Sequence, residues 1–284
     1  MAEPIAWVDQ PGHTPLAPGA VLACCSTLYA NPLAELLIGD SLHPGGLAST
    51  RELLRASGLQ PGARLLDAGC GLGASARLAA EEFCLAVDGV DGSSDVIALA
   101  EVRGSHLRIH WTLGDLAALP FDDDSFDAVL AECVLSTTER PTVLRELARV
   151  LKPGGVLLVS DVEVRPGAVP ELAEHQLLGA ALCVTDAWQP GELDTRLPDA
   201  GFRIRRRRDL STSIIALVDR AEARVGLAMV AARDMGLDPA QLFGSAMTLS
   251  PGLEAARVRE LADGVRAAVR RGDLRYVGVE AVLA

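Results

Sequence analysis

Aromatic residues are scarce in this sequence: five Phe, three Trp and two Tyr amount to 4% of 284 residues. A core built without them must be filled mainly by Leu, Val and Ala, and a hydrophobic content of 49% supplies it. Long apolar runs are missing too. No stretch reaches the ~18 residues that a membrane-crossing helix needs, so no membrane partner is expected. Residues 1–22 lack a basic leader and hold four prolines, which argues against a secretory signal. Cationic charge is in short supply: 26 Lys and Arg stand against 38 Asp and Glu, a net charge of −12. Such a field repels phosphate backbones and excludes nucleic acid as the expected partner. The six cysteines, at 24, 25, 70, 84, 133 and 183, form no CxxC pair and have no histidines at zinc spacing, so no metal site is expected. What remains is a reduced, cytoplasmic, globular protein.

The chain has a clear rhythm from residue 61 onward. Apolar runs at 63–69, 85–91, 107–115, 126–132 and 156–162 read as strands. Helical spacing fills 75–83, 93–103 and 141–151, with Pro141 in the first turn of the last and KPGG (152–155) closing it. Strands alternating with helices predict parallel βαβ units and a sheet covered on both faces. Two further strands fall at 201–210 and 274–284, separated by helical patterning at 212–234 and 252–271. Upstream, residues 21–38 and 49–57 have helical spacing, interrupted by Pro32 and by HPGG at 43–46. The expected organisation is a lead-in and helical cover (1–60), a core (61–211), a helical insertion (212–273) and a last core strand (274–284). The run Arg205–Arg208 reads as an exposed strand face rather than a basic binding patch.

The chemistry begins at LLDAGCGLGA (65–74). Gly69, Gly71 and Ala74 fit a dinucleotide-type fingerprint, a tight strand-to-helix turn with helix N–H groups aimed at a ligand. Asp67, two residues before the first glycine, is poorly placed beside a pyrophosphate but suits an ammonium group. Asp91, at the tip of the second strand, is placed to accept ribose hydroxyls. GDLAALPFDDDSFDAV (114–129) puts Asp115 after the third strand, within reach of an adenine amino group.

As an ordered set, LLDAGCGLG, VDGVD, GD-x4-PF, SFDAV and LARVLKPGGVLLVSD resemble the class I S-adenosylmethionine (SAM)-dependent methyltransferases, close to the ubiquinone-biosynthesis-like branch, over about Gly62 to Val162. The resemblance implies a Rossmann-like α/β fold with a seven-stranded, mostly parallel sheet, helices on both faces and the last strand antiparallel. It implies SAM as cofactor and S-adenosylhomocysteine as product. Asp67, Gly69 and Gly71 would line the methionyl part, Asp91 and Gly92 the ribose, and Asp115 and Leu116 the adenine. Glu132 would border the methionyl end through its backbone.

The stretch from Asp127 to Val162 also looks like arsenite methyltransferases, which carry Asn-Cys-Val where this chain has Glu132-Cys133-Val134. CVTDAWQPGELDTRLPDAGF (183–202) resembles the segment bearing that family's second arsenic-binding cysteine, here Cys183. A third thiol would come from Cys24 or Cys25. The resemblance implies a thiophilic acceptor such as trivalent arsenic, because soft ligands prefer soft centres. Glu132 for asparagine and Asp186 for glycine depart from the pattern. Two other readings stand beside it. An O-, N- or C-methyltransferase of a natural-product or quinone-like small molecule would need an acid or base, for which His43, Tyr29, His175 and Glu132 are candidates. Each has a plain packing role as its alternative: His43 and His175 at the surface or in a turn, Tyr29 in the core. A SAM-binding regulator would need neither. Cys70 and Cys84 read as inert packing residues, and apolar packing is the alternative reading for Cys133, Cys183, Cys24 and Cys25 too. The expected partner is a small molecule, and the expected assembly is a monomer or homodimer.

Overall fold

The computed structural model describes residues 41, 43–169, 179, 183–184, 186–234 and 255–284. The expected helix at 21–38, Cys24, Cys25, Tyr29 and His175 lie outside them. The chain runs α1 (Gly46–Ser57), β1 (Arg64–Ala68), α2 (Ala74–Phe83), β2 (Ala86–Asp91), α3 (Ser94–Arg103), β3 (Ile109–Leu113), β4 (Phe126–Glu132), α4 (Arg140–Val150), β5 (Leu151–Val164), α5 (Glu192–Asp199), β6 (Phe202–Asp209), α6 (Thr212–Asp234), α7 (Ala255–Arg271) and β7 (Leu274–Leu283). The seven strands form one sheet in the order β3-β2-β1-β4-β5-β7-β6. Neighbours from β3 to β5 pair in parallel, while β7 runs antiparallel to both β5 and β6. The chain order reverses between β1 and β4, and α/β sheets hold ligands beyond the carboxyl ends of their strands at such a point.

Alternation along the strands sends successive side chains to opposite faces. Leu66, Val129, Leu157 and Val279 pack on one side against α4 and α5. Leu65, Leu130, Leu158 and Val282 pack on the other, against Leu53 and Leu54 of α1 and Leu78 and Ala79 of α2. These strand residues are fully or almost fully buried, and each such side chain contributes about 1.5–3 kcal/mol of burial free energy. A third cluster, at the ligand end of the α1 face, joins Val162 and Tyr276 to Ile214 and Leu217 of α6 and Leu261 and Val265 of α7. Arg266 ties the two helices through Asp219 and Glu222. No helix among the described residues is long and apolar enough to cross a membrane.

Three local expectations are corrected. KPGG does not separate helix from strand: α4 stops at Val150 and β5 starts at once, with Lys152–Gly155 bulging out between the Phe126–Leu151 and Ala128–Val156 pairs. Gly154, at φ +76°, supplies the left-handed turn of that bulge. Helix α5 was not expected. HPGG opens α1 earlier than its apolar spacing suggests, with Gly45 as N-cap. The arginine run is an ion-paired edge: Arg207 meets buried Glu163 and Asp194, and Arg208 meets Glu52.

Candidate cofactor and acceptor site

Strand register brings the expected carboxylates to one end of the sheet. Asp67 pairs with Gly89 and Leu130, Asp91 with Leu113, and Glu132 with Ser160. Gly69 (φ +73°) and Gly71 (φ +52°) turn the chain out of β1 and into α2. A Cβ on Gly69 would stand 2.4 Å from a Val134 methyl group, so the position is closed to any side chain. The sequence did not reveal what seats this loop from beneath. Trp111 of β3 lies against Gly73 and Gly89, where added Cβ atoms would come within 2.2 and 2.7 Å of its ring. The half-buried indole and the spacing of those glycines are the signal that was there to find.

Asp67 is buried, and its Oδ2 has no hydrogen-bond partner. Burial first, then the negative charges of Glu132 and Asp91, push its carboxyl up to about 8, against a bond from the Ala76 amide. An orphaned acidic oxygen at the mouth of a glycine loop fits an ammonium group, which would restore its charge and fill its vacant acceptor position. Asp91 accepts the Gly71 amide on Oδ2 and the Ser93 amide on Oδ1, both at 3.0 Å. Burial raises its pKa and those amides oppose the rise. They fix the carboxylate plane and leave acceptor capacity for a hydroxyl. Exposed Asp115 accepts the Ala117 amide at 2.9 Å on one oxygen only, with buried Leu116 beside it and exposed Gly92 beside Asp91. The residues present therefore fit the amino, ribose and adenine parts of SAM.

Glu132 ends β4, where its backbone was expected to border the ligand. Its carboxylate is the centre of a buried polar cluster, taking Ser75 Oγ at 2.5 Å, Thr50 Oγ1 at 2.9 Å and Ser160 Oγ at 3.3 Å. His43 Nε2 lies 3.4 Å away. His43 is no surface residue: it is 7% exposed, and its Nδ1 meets the Tyr276 hydroxyl at 3.1 Å. That hydroxyl donates to Ser160 Oγ at 2.7 Å. Both ring nitrogens of His43 thus face protein groups. Through these contacts His43 links the start of α1 to the sheet.

Cys133 and Cys183, 50 residues apart in sequence, come together. Cys183 is buried in the α6–α7–β7 cluster with Cys133 packed against it. Burial, then the hydrogen-bonded Cys183 sulfur, then the charges of Asp161 and Glu132 raise the Cys133 thiol well above its ordinary value. Both cysteines have left-handed backbone, φ +51° and +54°. Cys70 is buried as expected, whereas Cys84 is an exposed thiol at the left-handed C-cap of α2. A hollow of about 490 Å³ beside Lys152–Gly155 lies at the opposite, amino end of the strands, away from all of these groups.

Comparison with known proteins agrees with this geometry. Residues 66–159 match the family described as a methyltransferase domain. Methyltransferase GfsG of Streptomyces halstedii is 35% identical over 163 residues, covering 51% of this chain and 58% of that protein. The chain thus spans a little over half the length of that relative. Among solved structures, the [4+2]-cyclase SpnF superposes with a TM-score of 0.59 at 25% identity, covering 83% of this chain and 80% of the other. Geranyl diphosphate C-methyltransferase from Streptomyces coelicolor A3(2) gives a TM-score of 0.62 at 17% identity, covering 99% and 90%. The fold is the Rossmann-like fold seen in SAM-dependent methyltransferases, as the resemblance of the glycine loop and strand order implied, and the part that matches the methyltransferase-domain family runs from β1 into β5.

Proposed function

We propose that this chain is a cytoplasmic SAM-dependent methyltransferase acting on a small molecule, and that its acceptor is a soft, thiophilic centre held by Cys133 and Cys183. The cofactor half rests on one observation above others: the unpartnered Oδ2 of buried Asp67 at the glycine loop. SAM supplies an electrophilic methyl group on a sulfonium. Asp67 holds the amino end, Asp91 the ribose and Asp115 the adenine. Methyl transfer is an in-line displacement, so the chain's remaining task is to aim the acceptor and exclude water.

The acceptor half rests on the meeting of two cysteines from distant loops beside a wall of α6 and α7. The raised pKa of the Cys133 thiol is no obstacle. Arsenous acid condenses with two thiols to give a dithiolate and two waters, so the thiol protons leave with the arsenic's own hydroxyls. The arsenic lone pair then needs no base, consistent with a His43 engaged on both nitrogens. The local likeness to arsenite methyltransferases at Cys133 and Cys183 supports the same reading, and the ubiquinone-like pattern of the core fits a small-molecule enzyme. A carbon, oxygen or nitrogen acceptor is the second reading, with Glu132 and His43, 3.4 Å apart, as the candidate acid and base. The deciding experiment incubates reduced protein with methyl-labelled SAM, arsenite and glutathione. Labelled methylarsenic that disappears in Cys133→Ser and Cys183→Ser supports the soft acceptor. Intact SAM binding with no arsenic product gives the second reading, to be pursued by substrate screening.

A further inference from the structure

Five non-glycine residues among those described have positive φ, and three of them, Cys133, Cys183 and Asp186, sit in the two cysteine loops. Left-handed backbone is strained for a non-glycine residue and persists only where its surroundings impose it. Each cysteine opens a short turn. After Cys133 the Thr137 amide closes on the Val134 carbonyl at 3.0 Å, and after Cys183 the Ala187 amide closes on the Val184 carbonyl at 3.4 Å.

Two residues of opposite charge touch both turns. Asp161 of β5 is fully buried, and its Oδ2 accepts the Ser136 amide at 3.1 Å and the Trp188 indole N–H at 3.0 Å. Arg140, the first residue of α4, donates to the Asp186 carbonyl, to the Ala187 carbonyl at 3.4 Å and to the Ser136 carbonyl at 3.5 Å. Its guanidinium lies 4.2 Å over the Trp188 ring, and Glu192 of α5 holds it from the side at 3.1 Å. Backbone bonds complete the attachment: the Cys133 amide to the Ser160 carbonyl at 2.7 Å and the Trp188 amide to the Val162 carbonyl at 3.0 Å.

We propose that Arg140 and Asp161 are positioning residues for the acceptor: a two-point clamp that locks the loops of Cys133 and Cys183 in strained geometry and presents their sulfurs as one preorganised dithiol. Neither residue touches the acceptor. Arg140 works as a planar donor spanning three carbonyls and an indole face, which a lysine ammonium cannot imitate. Preorganisation acts on affinity for a ligand that needs both sulfurs at once and leaves a ligand that needs one sulfur unaided. The inference rests on the soft-acceptor reading.

Its test uses phenylarsine oxide, which condenses with two thiols and releases one water, on the reduced chain with Cys24, Cys25 and Cys84 replaced by Ser. Wild-type loops should bind one equivalent, and Cys133→Ser should bind far more weakly. Arg140→Ala should lower arsenical affinity at least tenfold, Arg140→Lys should fail to restore it, and SAM affinity should stay within twofold. Alkylation of Cys133 by N-ethylmaleimide, a one-thiol reaction, should speed up as the loops open. Unchanged arsenical affinity in Arg140→Ala would overturn the clamp. Equal arsenical binding by the parent and Cys133→Ser would instead overturn the soft-acceptor reading. Alkylation then decides the clamp alone: faster reaction in Arg140→Ala sustains it, and an unchanged rate removes it.

Discussion

Asp67 carries the sharpest consequence at the scale of a single residue. Its folded-state pKa, about 8, lies above the ordinary carboxyl value of 3.8. Between those values the folded chain keeps a proton that the unfolded chain has lost, so this group's contribution to stability falls as pH rises from about 4 to about 8 and is level beyond. An ammonium ligand reverses the balance by favouring the carboxylate. Binding of SAM near pH 7 should therefore release close to one proton, visible as a dependence of calorimetric enthalpy on the buffer's ionisation enthalpy. Asp67→Asn should abolish that release and weaken SAM about 10- to 100-fold, the range for a charged hydrogen bond, while stabilising the ligand-free fold above pH 5. A buffer-independent enthalpy in the wild type would place the ammonium elsewhere. The sequence showed this residue's position because a strand tip before G-x-G is a local feature. It did not show the roles of His43 or Glu132, whose partners lie on α1, β5 and β7, up to 233 positions away.

Elements explain why part of the molecule was legible and part was not. The alternation of buried strands and amphipathic helices repeats within about thirty residues, so β1 to β5 could be read directly. Helix α5 is short, contains Pro198 and buries only Leu193 and Leu197, too few positions to set a period. The arrangement of α6 and α7 on β7 depends on the sheet already being formed. The clasp between α1 and the sheet is of the same non-local kind. Ser49 and Thr50 on α1, with His43 before it, engage Glu132 of β4 and Tyr276 of β7. Tyr276 is fully buried, and its hydroxyl serves His43 and Ser160 together. Tyr276→Phe should cost about 1–3 kcal/mol, since it strands two buried polar groups. It should appear as a lower urea midpoint with an unchanged slope. Turnover at saturating substrates should remain within a few-fold of wild type. A hundredfold loss of kcat without loss of stability would mean that the cluster moves a proton during catalysis rather than clasping α1.

Across the whole molecule, the net charge of −12 acts on the cofactor and its product unequally. SAM carries a sulfonium, an ammonium and a carboxylate, a net +1, and the product has lost the sulfonium charge and is neutral overall. The sheet's ligand end adds Asp91 and Glu132 to this acidic balance, so field lines converge where the cation must enter. Attraction of this kind speeds association and is screened within about 10 Å at 0.1 M salt. Raising sodium chloride from about 50 to about 500 mM should slow SAM association several-fold, whereas association of S-adenosylhomocysteine should change by less than about twofold. Stopped-flow binding followed by tryptophan fluorescence measures both, with Trp111 beneath the glycine loop as the nearest described indole. Equal salt dependence for the two ligands would show that the field acts on their shared ammonium and carboxylate. The acidity of the chain would then contribute to keeping the protein dispersed in solution and not to exchanging spent cofactor for fresh.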